Sequence, residues 1–204
     1  MSKSSNPVIV GLDEAGRGPL AGPVVAGTCL LTNKVEKSPL INDSKQLTEF
    51  EREEAYLWIE ENCTYGFGVV EASEVDSLGI LGATEKAMQI AVELIAESVT
   101  PTYLIIDGRD RFWFDYPHSS VIRGDEKEPC ISAASIIAKV IRDRIMIEYS
   151  KKFPKYSFED HKGYGAPVHL DALKIHGPCA IHRKTFLTKI LPEEILISSR
   201  LSPK

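Results

Sequence analysis

"VIVGLDEAGRGPLAGPVVAG", residues 8–27, closes an apolar run on two carboxylates, Asp13 and Glu14, and follows them with Gly16, Arg17, Gly18 and Gly22. The β-branched and aliphatic residues at 8–12 and 24–31, bracketed by Gly and Pro, predict two strands joined through the glycine turn. Successive strand side chains point to opposite faces, so Asp13 and Glu14 cannot both face inward from a regular strand. A bend is expected there, and Ala15-Gly16 directly after them allows it. Gly16, Gly18 and Gly22 let the backbone come close to something large, and Arg17 sets a cation beside it, a combination suited to sugar and phosphate oxygens. Alone, the Gly-x-Gly reads equally well as a tight turn.

The same pattern recurs further along. "TYLIIDG" (102–108) is a short apolar strand ending in Asp107, and "SSVIRGD" (119–125) is another with Asp125 just beyond it. "TYGFGVVEA" (64–72) adds one more strand. Thr48 followed three positions later by Glu51 is a capping-box pattern, predicting a helix over about 49–62. In "GATEKAMQIAVELIAESV", Ala87, Ile90, Ala91, Leu94 and Ile95 define one buried helix face. Between 131 and 152, Ile131, Ala134, Ala138, Ile141 and Ile145 mark the inner stripe of a long helix. Its outer side is expected to carry Lys139, Arg142, Arg144, Lys151 and Lys152. "APVHLDALKIHG" (166–177) has the Pro-first, Gly-last asymmetry of a short helix.

With 204 residues, 43% hydrophobic and 26% charged, the chain is sized for one globular domain, here expected over 1–190, with a helical part from about 160 and a tail at 191–204. No apolar stretch is long enough to cross a bilayer and "MSKSSNPV" lacks the apolar core of a secretory signal, so no membrane association and a cytoplasmic location are expected. Cys29, Cys63, Cys130 and Cys179 are scattered without a CxxC pair and read as free thiols. The net charge of −5 argues against an indiscriminate nucleic-acid binder but hides a division along the chain. Residues 1–138 hold 11 Lys and Arg against 22 Asp and Glu; residues 139–189 hold 11 against 5. Such a basic segment is either a solvated helix face or the support for a polyanion beside an acidic centre.

If the strands are neighbours in one sheet, Asp13, Glu14, Asp107 and Asp125 converge at one edge of it. Clustered carboxylates raise one another's pKa or demand a cation, and all-oxygen ligands suit Mg2+ or Mn2+ rather than zinc. Taken singly, each aspartate could instead cap a helix or begin a turn. His118, His161, His169, His176 and His182 sit apart from these acids and are read as structural or substrate-contacting. Lys139 is a candidate phosphate contact as well as a solvated residue, Asp143 an ion-pair or hydrogen-bond partner, and Trp113 a packed residue or a base-stacking one.

"GLDEAGRGPLAGPVVAG", "NDSKQLT", "IIDG", "RGD" followed by "ISAASIIAKVIRDR", "HKGYG" and "HGPCAIHRKTF" together resemble bacterial ribonuclease HII, in that family's order, over about 8–188. The resemblance implies an α/β, RNase H-like fold: a mixed central sheet flanked by helices with a small C-terminal helical extension. It implies that Asp13, Glu14, Asp107 and Asp125 are both the catalytic and the metal-binding acids. It assigns Gly16, Arg17 and Gly18 to the ribonucleotide and its 2'-hydroxyl, Tyr164 to the sugar at the RNA-to-DNA junction, and Ser44 and Lys45 to the substrate backbone. The substrates implied are RNA/DNA hybrids and duplex DNA containing ribonucleotides, cut on the 5' side of the ribonucleotide with Mg2+ or Mn2+ to leave 3'-hydroxyl and 5'-phosphate ends; a monomer is expected. Asp125 as the fourth acid and the short N-terminus resemble this family rather than ribonuclease HIII. A non-catalytic hybrid-binding module and a transposase or resolvase relative are the competing readings.

Overall fold

Five strands, β1 (Ile9–Ala15), β2 (Val24–Leu30), β3 (Tyr65–Val70), β4 (Tyr103–Asp107) and β5 (His118–Val121), form one sheet in the order β3-β2-β1-β4-β5 in the computed structural model, which describes residues 7–42, 44–188 and 190–191. β1 pairs antiparallel with β2 and parallel with β4, β2 pairs antiparallel with β3, and β4 runs parallel to β5, so the sheet is mixed as expected. The helices are α1 (Asn33–Lys37), α2 (Glu49–Asn62), α3 (Ala72–Ala96), α4 (Pro129–Lys152), α5 (Phe158–His161), α6 (Pro167–His176) and α7 (Lys184–Leu187).

The sheet is covered on both faces. On one side Val10, Leu12, Val24, Ala26 and Ile106 bury against Ala87, Met88, Ala91 and Ile95 of α3. On the other, Cys29 buries with Ile136, Ile137 and Val140 of α4 and with Tyr56 and Ile59 of α2. Glycines permit this closeness. A Cβ on Gly27 would stand 2.3 Å from the Ala134 carbonyl, and one on Gly68 2.1 Å from that of Ala87, so α4 and α3 approach the sheet backbone directly. A third cluster, including Leu20, Ala21, Met146, Phe158, Leu173 and Leu187, fastens the C-terminal helices to the turn after β1.

The capping box at Thr48 and Glu51 forms as read, because it needs only residues three apart. Three expectations are corrected. The strand read through 119–125 stops at Val121, where its neighbour β4 also ends, and the chain enters a 3-10 turn (Gly124–Glu126) that carries Asp125. α3 begins at Ala72, ten residues before the stretch whose periodicity marks it, and is broken at Gly79 (φ 72°), where the periodic phase resets. Arg142 is not on a solvated face: it is 1% exposed, because the turn after β1 and the loop before α6 close over that side of α4.

All four cysteines are free, with Cys29 and Cys130 buried. Among the described residues no helix is long and apolar enough to cross a membrane. Beyond Leu191, the expected tail at 191–204 lies outside the described residues.

Candidate active site

Parallel pairing of β1 with β4 sets Leu12 beside Ile106, and the next residue on each strand is an aspartate. Asp13 and Asp107 therefore meet at the carboxyl ends of adjacent parallel strands, where open α/β sheets form a crevice. A cleft of about 470 Å³ opens there, lined by Asp13, Glu14, Gly16, Arg17, Gly18, Ser44, Lys45, Asp107 and Tyr164 among the expected residues. Asp125 is not part of that lining. It is 1% exposed, and its Oδ2 lies 2.6 Å from Nζ of Lys45, which does line the cleft.

The expected bend at Asp13 and Glu14 comes later. β1 stays paired with β2 through Ala15, and the chain turns at Gly16 (φ 96°). Both acids still border the cleft because it wraps the end of the strand. Asp13 is 5% exposed, and its Oδ1 accepts the Glu14 N–H at 2.7 Å. Burial, and then the charges of Glu14 and Asp107, hold the Asp13 carboxyl well above the usual range, against a hydrogen bond from Ser135. Burial also raises Glu14, opposed by Arg17. Nη1 of Arg17 lies 3.3 Å from Oε1 of Glu14 and 2.7 Å from Oδ2 of Asp110. The Gly124 N–H donates to Oδ1 of Asp107 at 2.6 Å.

The acids are thus held individually, by Arg17, by Lys45 and by backbone donors. Among the described residues no group of three or more His, Cys, Asp or Glu side chains is placed so that it could hold a metal ion as the side chains stand. The donor set nonetheless fits a hard divalent ion. All its atoms are oxygens, and a cation would offset both the burial and the neighbouring charges of Glu14 and Asp107 that raise Asp13.

The glycines divide into two kinds. A Cβ on Gly16 would stand 2.2 Å from Nε of Arg142, and one on Gly22 (φ 87°) 2.2 Å from Sδ of Met146, so what approaches these two is the protein's own interior and not a ligand. A Cβ on Gly18 would meet only Cε1 of Tyr164, at 3.8 Å, an ordinary contact at the cleft's surface. Gly16→Ala is therefore expected to destabilise the fold by roughly 1–3 kcal/mol through left-handed backbone and overpacking. Gly18→Ala should leave the melting temperature within about 2 °C while impairing substrate use, since it changes stability by no more than about 0.5 kcal/mol. Thermal denaturation alongside cleavage rates separates the two.

Two buried arginines hold the turn, and residue patterns did not signal either. Arg183, fully buried, donates from Nη2 to the Gly16 carbonyl (2.6 Å), from Nη1 to those of Arg17 (3.2 Å) and Pro19 (2.9 Å), and from Nε to that of Gly22 (3.0 Å). Burial and the charge of Arg142 push Arg183 down to about 10. Arg142 donates to the carbonyls of Pro23, Ala21 and Lys162, and its Cζ lies 5.7 Å from the ring centroid of Tyr164. Arg52, Ser135 and Lys139 also line the cleft. Lys139 forms a 2.8 Å ion pair with Asp143, the partnership read for that aspartate. Ser132, Ser135 and Lys139 fall at i, i+3 and i+7 beside the apolar stripe of α4, a polar line that could have marked Ser135. Ser44 is 5% exposed, and its hydroxyl is 2.8 Å from that of Ser135, which turns it inward.

Comparison with known proteins agrees with this geometry. A family model described as Ribonuclease HII matches residues 10–189. A ribonuclease HII of Bacillus velezensis is 50% identical over 186 residues, covering 91% of this chain and 71% of that one. One from Caldanaerobacter subterraneus subsp. tengcongensis is 47% identical over 184 residues, covering 90% and 75%. Among solved structures, the ribonuclease H2 of Pyrococcus horikoshii OT3 matches at a TM-score of 0.72 and 25% identity, over 95% of this chain and 99% of that one. Bst-RNase HIII in complex with Mn2+ matches at 0.67 and 15% identity, over 98% and 72%, a likeness of fold alone.

Proposed function

The chain belongs to the ribonuclease HII family and is a metal-dependent ribonuclease H, and on that footing we propose that it cuts both the RNA strand of RNA/DNA hybrids and duplex DNA on the 5' side of an embedded ribonucleotide. The products are a 3'-hydroxyl and a 5'-phosphate. One observation carries this reading: a single cleft is lined both by Asp13, Glu14 and Asp107 and by Gly18 with the neighbouring ring of Tyr164.

Asp13, Glu14, Asp107 and Asp125 would hold the metal, Mg2+ or Mn2+, in a two-ion arrangement. Bound there, such ions supply a water activated for in-line attack on phosphorus and positive charge at the leaving 3'-oxygen. The chain's own residues do the selecting. A ribose differs from a deoxyribose at its 2'-hydroxyl, which both donates and accepts a hydrogen bond. Main chain at 16–18 offers both functions, and Arg183 keeps that segment rigid by its grip on the Gly16 and Arg17 carbonyls. Each such carbonyl retains a second lone pair. Bare Gly18 leaves room for the sugar, and the ring of Tyr164, 46% exposed, packs against it at the junction. Lys45 supplies a phosphate contact, and Ser44 acts indirectly by bracing Ser135.

Digestion of matched duplexes bearing zero, one or four ribonucleotides tests this. With Mg2+ or Mn2+, cuts are expected 5' of the single ribonucleotide and within the run of four, none in all-DNA duplex, and none in chelator. Comparable cutting of the all-DNA duplex would contradict ribose recognition.

A further inference from the structure

Behind the cleft, the C-terminal helices bury two histidines that the chemistry above does not use. His169 is 0% exposed and His182 2%. Their Nε2 atoms lie 2.9 Å apart, His169 Nδ1 lies 2.8 Å from the Tyr164 carbonyl, and the Cys179 N–H donates to His182 Nδ1 at 2.9 Å.

These contacts admit one arrangement of protons. A backbone N–H can only donate, so Nδ1 of His182 carries no proton, and a neutral ring then carries it on Nε2. That N–H donates to Nε2 of His169, which must accept, leaving the His169 proton on Nδ1, where it donates to the Tyr164 carbonyl. A charge on either ring would set two N–H groups against each other. The surroundings agree. His161 stacks on His169 at 4.5 Å, Phe158 packs edge-on to His169, and Tyr156 lies 5.0 Å from His182. His161 is itself committed, accepting from Gly163 N–H and standing 2.8 Å from the Tyr156 carbonyl. Burial lowers His169, and burial with the neighbouring His169 pushes His182 down to about 3, both in the direction of the neutral pair that the hydrogen bonds require.

The segment being held is one that needs holding. Lys162 (φ 49°) and Gly163 (φ 85°) both take left-handed backbone just before Tyr164. Apart from His169, the Tyr164 carbonyl accepts only a local bond from Ala166 N–H among the described contacts. We propose that His182 and His169 are positioning residues for Tyr164, a directional pair of neutral imidazoles that sets the tyrosine beside Gly18 and so fixes the preference for a ribonucleotide junction over a continuous hybrid. The inference rests on the reading of Tyr164 given above.

The test compares kcat/KM on a duplex with one embedded ribonucleotide with kcat/KM on a long RNA/DNA hybrid, because a merely structural loss lowers both. Tyr164→Ala sets the benchmark, with a lower single-to-hybrid ratio. His169→Leu, which removes the donor, is expected to lower that ratio about tenfold, since small misplacement of a contacting group costs up to roughly 10²-fold. His169→Asn, whose amide can donate in place of Nδ1–H, should stay within about threefold of wild type by the same scale. Adding His169→Leu to Tyr164→Ala should lower the ratio no further.

If Tyr164→Ala lowers the ratio and His169→Leu does not, the positioning role is overturned while the reading of Tyr164 stands; an unchanged ratio in Tyr164→Ala overturns both. Independently of any variant's folding, long-range 1H–15N correlation spectra of the wild-type protein should show His169 as the Nδ1–H tautomer and His182 as Nε2–H. His169 found protonated on Nε2 would overturn the pair.

Discussion

Asp107→Asn is expected to reduce turnover on a duplex carrying one ribonucleotide by on the order of 10³-fold, with the melting temperature nearly unchanged. Residues that merely orient metal ligands cost about 10–100-fold when removed, and loss of an anionic ligand should exceed that. The fold should survive because an asparagine keeps the carbonyl oxygen that accepts the Gly124 N–H, the side-chain hydrogen bond of Asp107 in the described structure. Its strand position is set by β1 and β5 on either side, not by its charge. Steady-state cleavage and a thermal melt on the same preparation check both halves. Wild-type turnover would remove Asp107 from the site.

Arg183→Leu should produce the largest loss of stability, about 3–5 kcal/mol, because it strips the donors from several buried carbonyls at once. Four carbonyls of the turn after β1 lose a donor at once, and each buried unsatisfied group costs roughly 1–3 kcal/mol. The total falls short of the sum because the variant no longer buries a guanidinium beside that of Arg142. At about 2–4 °C per kcal/mol for a domain of this size, the melting temperature should drop by roughly 6–20 °C. Arg183→Lys should not rescue it, since a point-like ammonium cannot span the carbonyls that a fork reaches. A melting temperature within about 2 °C of wild type, taken with the same conversion, would show that the turn holds itself.

What was legible in the sequence is what short-range chemistry determines. The helix cap at Thr48 needs only Glu51, and the apolar runs ending at Asp13 and Asp107 needed only a parallel pairing to bring the two acids together. The glycine turn was recognisable, but the reason for its glycines was not: Gly16 makes way for Arg142, which is more than a hundred residues away in sequence. For the same reason Arg142 was read onto a solvated face. Helical periodicity gives the face of α4, but not which loops will cover it. Arg183 had no local signature, since the carbonyls it grips lie at Gly16–Gly22 and become its partners only when α7 docks on that turn. The sequence puts Asp125 at a strand end only because Val121 and Ile122 suggest a strand running toward it. The edge of the sheet ends the strand earlier, and a 3-10 turn delivers the carboxylate from behind Lys45. The direction of the histidine pair depends on a backbone N–H at Cys179, which no residue pattern encodes.

Mn2+ binding followed by electron paramagnetic resonance tests the acidic centre most directly, because it needs neither substrate nor turnover. The wild-type protein should bind the ion, and the Asp13→Asn, Asp107→Asn double variant should lose that binding. Affinity in the wild type should strengthen as pH rises, because the protons that burial and mutual repulsion favour on Asp13 and Glu14 must leave before oxygen can ligate. Equal Mn2+ binding by the wild type and the double variant would place the ion elsewhere and contradict a metal centre built on these carboxylates.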